Sequence, residues 1–450
     1  DDLVHQRIEL GRFDWETRSF DGRVTVTLRA LRPDFDSVVL DAGALLDTRS
    51  VAGRSGSPGR AVPLRFDHVR DTLVVHLARP AAFGDTVHFT VEYRGVVENG
   101  QGLTFIAEDT LPPARPRQLW SQGQDDNNHK WFPTYDFPND RATWEMIVTV
   151  PRGFMAVSNG RLLSDRTGAD GHRTLHWSQD QPAVTYLASL IVAPLVRVRD
   201  RWRGIPVDYY VYRADSALAR PLFGVTPDMM EVFSRLTGVP YPWPKYAQTT
   251  VADFFGGMEN VSASTMIDWM PGPRAYADRP WYQHILIPHE LAHQWFGDYV
   301  TTANWANFWL NEGFAEFLPG QYWRVKQGRH AGDDYYLDEY RQYLEIDGRR
   351  GEIAARIGQE LALSLETWSL HAHPWKVKDP SRAASLLAPV LGQPASQIRY
   401  RLRSEAPFVW IARRLDPAVA SAVRALDLPV GAGQAFDFDL EGKRFYPQGH

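Results

Sequence analysis

The sequence contains no cysteine among its 450 residues. Disulfide bonds, zinc sites built from thiolates and cysteine nucleophiles are therefore excluded. A run of about eighteen apolar residues, the length that crosses a membrane, is also missing. The closest candidate, residues 184–196, is interrupted by Thr185, Ser189 and Pro194 and has the pattern of a buried strand. The sequence thus predicts no membrane span.

The chain also lacks a strong excess of either charge. Its net charge is −5 and it has no long basic run, which argues against nucleic acid as a partner. Hydrophobic residues make up 44% and charged residues 23%, as in ordinary soluble globular proteins. Because the chain begins at Asp1 and not at Met, removal of an export signal to a periplasmic or secreted location is one interpretation. The compartment and the oligomeric state stay open.

The chain up to residue 195 has the pattern of β-strands. Val24, Val26 and Leu28 alternate with polar residues, as do the apolar residues of 87–93. Turn signals such as Asn159-Gly160 separate these runs. We therefore predict a β-sandwich or saddle-like domain over residues 1–195.

From residue 196 the pattern becomes helical. It predicts one helix over residues 282–296, with a conflict at Pro288, and a second over residues 306–318 that ends at Pro319-Gly320. Weaker patterns predict helices over residues 381–391, 407–415 and 418–426. The expected fold class is α+β, with a helix-rich α/β domain over residues 196–450 whose part from about residue 345 is short, divergent and helical.

The most informative motif is HELAH at residues 289–293, which is followed after eighteen residues by Glu312. On a helix, His289 and His293 are four residues apart, so both imidazoles project from one face. With Glu312 they would supply three ligands to one zinc ion, and Glu290 would be a carboxylate base beside the open position. A surface helix with such residues also arises by chance, so the motif alone is not decisive.

Glu312 favours the zinc interpretation. It lies in the apolar aromatic sequence FWLNEGF at residues 308–314, where an unpaired carboxylate would be costly to bury. A cation partner removes that cost. We therefore expect Glu312 to be the third ligand of a single zinc ion.

Three motifs in order carry a resemblance to a known family. They are GGMEN at residues 256–260, HELAHQWFGD at residues 289–298 and WLNEGFAEF at residues 309–317. Together they resemble the M1 family of zinc aminopeptidases, and QGQ at residues 122–124 is similar to the segment that lines its substrate cleft. The resemblance covers residues 1 to about 325 and implies a thermolysin-like catalytic domain of the gluzincin type.

The resemblance implies a zinc-dependent aminopeptidase that hydrolyses the N-terminal peptide bond of peptides through a zinc-bound water activated by Glu290. It implies that Glu259 pairs with the free α-ammonium group of the substrate. Gln124 would add an amide oxygen, and Gln122 would contact the first side chain or the adjacent backbone. The preferred first residue is not predicted.

The remaining residues of the motifs have less specific roles. Glycine at Gly256 and Gly257, beside Met258, allows an extended substrate to approach the main chain, although a tight loop alone would also explain both glycines. Glu316 and Asp298 are candidates for the carboxylates that orient ligating imidazoles. The alternative for both is a solvent-facing charge.

One family feature is missing from the sequence. Members carry a tyrosine after the zinc glutamate whose hydroxyl stabilises the oxyanion, but residues 367–382 contain none and hold His371 and His373 instead. The next tyrosine, Tyr400, lies in a different context. The main alternative is therefore a catalytically weak or inactive zinc-containing peptide-binding homologue. An endopeptidase, which Glu259 disfavours, and an epoxide hydrolase are further alternatives.

Overall fold

The computed structural model describes residues 1–55, 60–110, 114–269, 281–350, 363–404, 406, 408–415, 417–426, 428–429 and 435–445. The chain divides into two compact units, residues 1–358 and residues 359–450. Each unit is described by itself below.

The first part of the larger unit is built from strands. They are β1 (Asp2–Asp14), β2 (Ser19–Arg29), β3 (Phe35–Asp41), β4 (Leu46–Ser55), β5 (Arg60–Pro63), β6 (Phe66–Val69), β7 (Thr72–Ala81), β8 (Thr86–Val96), β9 (Gly102–Ile106), β10 (Gln118–Gln122), β11 (Ala142–Val150), β12 (Met155–Ser158), β13 (Arg161–Thr167), β14 (Arg173–Ala183) and β15 (Leu190–Ala193). They form an eight-stranded sheet in the order β13-β14-β11-β1-β2-β8-β4-β5, a four-stranded sheet β12-β15-β10-β9 and a three-stranded sheet β3-β7-β6. Val24, Val26 and Leu28 are buried on β2, as their alternation predicts.

The second part of this unit combines one sheet with helices. Its strands are β16 (Leu195–Trp202), β17 (Ile205–Tyr212), β18 (Tyr246–Val251), β19 (Gly257–Met258) and β20 (Ala263–Ile267). Its helices are α1 (Ser216–Phe223), α2 (Thr226–Thr237), α3 (Ile287–Ala292), α4 (Trp309–Gln327) and α5 (Arg329–Arg350). The sheet order β16-β17-β18-β20-β19 places the short strand β19 at an edge. The predicted α+β class, β-rich first and helix-rich after, is confirmed.

The conflict at Pro288 is resolved by a change of helix type. A π-helical turn, Tyr282–Leu286, leads directly into α3, so Pro288 is the second residue of the α-helix. A proline is tolerated there because the first turn of a helix does not use its N–H group. The α-helix of the HELAH motif therefore starts later than the predicted residue 282.

The smaller unit is mixed. Strands β21 (Leu363–Ala372), β22 (Val409–Leu415) and β23 (Phe436–Phe445) form a sheet in the order β22-β21-β23, accompanied by helices α6 (Pro380–Leu391), α7 (Ala395–Leu402) and α8 (Pro417–Arg424). Its core includes Leu370, Leu387, Ile398 and Ile411. The sequence predicted a short helical part from about residue 345; three helices are present, but the sheet that accompanies them was not predicted. The helix predicted over residues 407–415 is wrong, because residues 409–415 form strand β22 and residue 407 lies outside the described residues. The predicted domain boundary at residue 195 stays a prediction.

No helix in the described part of the chain is both long and apolar enough to cross a membrane. The two longest, α4 and α5, carry charged residues along their length.

A buried lysine supports the segment that follows GGMEN. Lys245 lies directly before β18 with its side chain inside the protein, and its Nζ donates to the carbonyl of Ser262 at 2.9 Å. The same Nζ lies 5.2 Å above the ring of Trp177. Burial lowers the pKa of Lys245 to about 7, although Asp208 acts in the opposite direction.

This shift predicts a pH-dependent stability. The pKa of Lys245 is lower in the folded than in the unfolded chain, so the folded protein releases this proton first and its stability rises from pH 7 towards pH 10. Between pH 7 and pH 9, the wild type should gain about 2 kcal/mol relative to Lys245→Met. Urea unfolding at both pH values measures the gain. The exposed pair of Lys326 with Asp228 supplies the control Lys326→Met, and equal pH slopes in all three proteins would contradict the prediction.

Candidate metal centre

Helices α3 and α4 bring three ligand atoms together. The Nε2 atoms of His289 and His293 lie 3.0 Å apart, and Glu312 Oε2 lies 3.3 Å from the first and 3.5 Å from the second. These are the only three His, Asp or Glu side chains of the described residues that converge in this way. Two imidazoles and one carboxylate are a donor set that suits zinc.

The charges around these atoms also suit a cation. Burial lowers the pKa of His289, but Glu316 and Glu312 outweigh it and raise the value to about 9. Burial raises the pKa of Glu312, whereas His293 and His289 more than reverse this and hold it below its usual range. The imidazoles are therefore surrounded by carboxylates that stabilise positive charge.

The side chain of Glu312 is 39% exposed. Because this carboxylate is not fully buried, the cost of burying it does not by itself require a cation partner. Its position on the first turn of α4, facing α3, is what brings it to the two histidines. The site consequently opens to solvent on the Glu312 side.

Glu290 directly follows His289 on α3 and is only 4% exposed. Its Oε2 atom has no hydrogen-bond partner among the described residues. Burial raises the pKa of Glu290 to about 8, while His289 and His293 act in the opposite direction. The backbone of Gly257 lies so close that a Cβ there would overlap the Glu290 carboxylate. A buried carboxylate with a free oxygen beside the ligands is suited to exchange protons.

GGMEN places a second carboxylate near the ligands. Glu259 follows the edge strand β19, is buried, and has a raised pKa, first because of burial. The charge of His293 acts to lower that pKa, and the charge of Glu312 acts to raise it. The hydroxyl of Tyr186 lies 3.4 Å from Glu259 Oε1 and also contacts the side chain of Asn311.

The QGQ segment lies against the same tyrosine. Gln122 ends β10, and its side-chain oxygen accepts from the backbone N–H of Gln124 at 3.4 Å. Gly123 packs directly on the backbone of Tyr186, where a Cβ would overlap the carbonyl oxygen. The segment is thus connected to Glu259 through one residue, whose backbone meets Gly123 and whose hydroxyl meets Glu259.

Two family models match parts of this chain. The peptidase M1 N-terminal domain matches residues 5–187, and the peptidase family M1 domain matches residues 222–367. The chain belongs to peptidase family M1. All three ligand atoms and Glu290 lie within the second matched range.

Several relatives of this M1 chain are named as aminopeptidases. Aminopeptidase B of Mus musculus is 29% identical over 316 residues, which are 67% of this chain and 46% of that protein. Aminopeptidase N of Acetobacter pasteurianus is 25% identical over 312 residues, 68% of this chain and 86% of that protein. Glutamyl aminopeptidase of Mus musculus is 27% identical over 328 residues, 70% of this chain and 34% of that protein. The chain thus spans about half the length, or less, of these two Mus musculus proteins.

The two predicted orienting carboxylates have different positions in this M1 chain. Glu316 Oε1 lies 3.4 Å from His289 Nδ1, as an orienting group should. The Nδ1 atom of His293 instead lies 3.0 Å from the carbonyl oxygen of Phe296. The carboxylate oxygens of Asp298 are buried without a hydrogen-bond partner among the described residues, and only its backbone N–H contacts the carbonyl of His293. The group beside His293 Nδ1 is therefore the backbone carbonyl of Phe296, and not the Asp298 carboxylate.

Tyr400 lies on α7 in the smaller unit, with 82% of its surface exposed. Its assignment to the oxyanion role stays open. A different group of residues was missed by the sequence analysis: Tyr186 and Asn311 beside Glu259, and Gln294, whose side chain donates to the Glu259 carbonyl and accepts from the N–H of Ser262. Gln294 lies in the turn after α3 and follows His293 directly, so its place in the HELAHQWFGD motif was the one available signal.

Proposed function

We propose that this chain is a zinc-dependent aminopeptidase that hydrolyses the N-terminal peptide bond of peptides. The observation that carries the proposal is the convergence of His289, His293 and Glu312 with two buried carboxylates beside them. Glu290 and Glu259 have different surroundings, as two different tasks require. The names of the relatives support the same class of reaction.

The ligands would be His289 Nε2, His293 Nε2 and Glu312 Oε2, with Glu316 holding the first imidazole from behind. Zinc bound by such a set makes water more acidic and polarises a carbonyl group. The carboxylates described above stabilise positive charge at the site, and a metal ion that binds there must displace any proton on the two ligating nitrogens.

Glu290 would move the proton. Its free Oε2 atom accepts a proton from the attacking water and returns it to the nitrogen of the leaving amine. Because the side chain is almost fully buried, bulk water does not compete for that oxygen. Gly257 allows the close approach of the main chain to this carboxylate.

Glu259 would select substrates with a free amino terminus. Its buried carboxylate pairs with the α-ammonium group, and it is left desolvated and unpaired when that group is absent. Gln124 would supply a further amide oxygen, and Gln122 would contact the first side chain or its backbone. Gly256, Gly257 and Met258, next to or on an edge strand, would pair with the extended substrate backbone.

Activity on amino-acyl arylamides tests the proposal. The purified zinc-loaded protein should release the arylamine, and a chelator should reduce the rate by about a hundredfold or more because the carbonyl loses its Lewis acid. Added zinc should restore the rate. Turnover and zinc content are measured in the same samples.

An absence of turnover in fully zinc-loaded protein would contradict the aminopeptidase proposal. It would favour the alternative of a zinc-containing peptide-binding homologue that lacks the oxyanion tyrosine. Turnover that survives complete removal of the metal would contradict both.

A further inference from the structure

Helix α5 reaches the metal centre through one tyrosine. The hydroxyl of Tyr335 donates to Glu316 Oε2 at 3.3 Å, while the other oxygen of that carboxylate, Oε1, lies 3.4 Å from His289 Nδ1. The two oxygens of Glu316 thus have different partners. A carboxylate held at one oxygen cannot rotate freely at the other.

The ring of Tyr335 is itself fixed by packing. It is 4% exposed, and its centroid lies 6.0 Å from the ring of His284 in the π-helical turn before α3. His284 in turn stacks on Trp323 of α4 at 4.1 Å. The tyrosine therefore contacts α4 and the turn that leads into α3, and its hydroxyl is presented to Glu316 by a rigid ring.

Glu316 has a defined task only if its carboxylate keeps one orientation. An acceptor at Nδ1 determines which imidazole nitrogen carries the proton and aims the Nε2 lone pair at the metal. A loosely held Glu316 would let the His289 ring rotate, and the three ligand atoms would then have to be ordered when the metal binds.

We propose that Tyr335 is a positioning residue for the metal centre, and that its hydroxyl fixes Glu316 so that His289 is ordered for zinc binding. The proposal rests on the proposed function in one respect: it takes His289, His293 and Glu312 as a zinc site. It assigns α5 a part in zinc affinity although this helix supplies no ligand.

The test is the zinc dissociation constant, measured by chelator competition without substrate. Tyr335→Phe keeps the ring and removes the hydroxyl, and it should raise the constant about three- to tenfold. Glu316→Gln should raise it about ten- to a hundredfold, because it weakens the acceptor that touches His289 directly. The unfolding midpoint of the metal-free Tyr335→Phe protein and the KM for an amino-acyl arylamide should stay as in the wild type.

The neighbouring residue is a matched control. Tyr336 lies on the same helix, and its hydroxyl donates to the carbonyl of Phe317 at 2.7 Å and accepts from Gln321 at 2.8 Å. Tyr336→Phe thus removes a comparable hydroxyl with no contact to Glu316, and its zinc dissociation constant should equal that of the wild type.

A double variant separates positioning from general stability. If Tyr335 acts through Glu316, Tyr335→Phe should weaken zinc binding no further in the Glu316→Gln background. Equal weakening by Tyr335→Phe and Tyr336→Phe, full additivity in the double variant, or wild-type affinity in Tyr335→Phe or Glu316→Gln would each overturn the proposal. A wild-type protein that binds no zinc would instead refute the metal centre itself, so the two failures are distinguishable.

Discussion

Glu290→Gln is expected to lower kcat by about a thousand- to ten-thousandfold while zinc stays bound. Glutamine has the shape of glutamate but cannot accept a proton from water. Glu290 has a free, buried oxygen and directly follows the ligand residue His289, so the substitution removes the proposed proton acceptor without changing the ligands. Steady-state turnover of an amino-acyl arylamide, together with elemental analysis of the same protein, measures both parts of the expectation.

The same substitution outside the site is the control. Glu231 is a glutamate of α2 that accepts from Trp202 and Arg203, and Glu231→Gln should leave kcat unchanged. A Glu290→Gln protein with wild-type turnover and full zinc content would remove Glu290 from the mechanism. Loss of both turnover and zinc would show that the residue supports the metal centre and would leave the proton transfer to another group.

The residues of the candidate metal centre were predictable from the sequence because local geometry decides their positions. His289 and His293 share a helix face by their spacing alone, and Glu312 was found through the motif that contains it. Tyr186 and Tyr335 were not predictable, because each contacts the site across a distance in sequence that only the packed fold closes. Gln294 lies next to His293 in the sequence, but its contacts with Glu259 and Ser262 also depend on packing.

The boundaries of α4 show how packing overrides a local signal. Pro319-Gly320 predicted the end of the helix, but α4 continues to Gln327 with Pro319 inside it. Beyond the proline, Tyr322 and Trp323 are buried and donate to Asp228 and to the carbonyl of His284 at 2.8 Å each. These contacts offset the hydrogen bond that a proline cannot make.

In the smaller unit, the sequence predicted a helix where the structure has a strand. Residues 407–415 form a short apolar run, for which periodicity does not separate a buried helix from a strand. The structure has strand β22 there, paired with β21, and Ile411 lies in the core of that unit. The pairing partner lies about forty residues earlier in the chain and left no local trace in the sequence.

Acetylation of the substrate's α-amine is expected to reduce kcat/KM by about a thousandfold or more. An acetylated amine carries no charge, so the buried carboxylate of Glu259 would be desolvated without a partner. That carboxylate is held by Tyr186 on one side, and the segment that carries it is held by Gln294 on the other, so it has little freedom to turn away. Paired assays of a free and an acetylated amino-acyl arylamide give the ratio directly.

Glu259→Gln should lower the ratio of kcat/KM for the free substrate to kcat/KM for the acetylated substrate, because a neutral amide attracts the α-ammonium group less than a carboxylate does. We expect the free substrate to lose at least about a hundredfold in kcat/KM, chiefly through a higher KM, while the acetylated substrate changes little. Removal of the Tyr186 hydroxyl by Tyr186→Phe should produce a smaller change in the same direction, since this hydroxyl contacts Glu259 and not the substrate. Equal cleavage of both substrates by the wild type would show that recognition does not depend on the amino terminus, and the endopeptidase alternative would then replace the aminopeptidase.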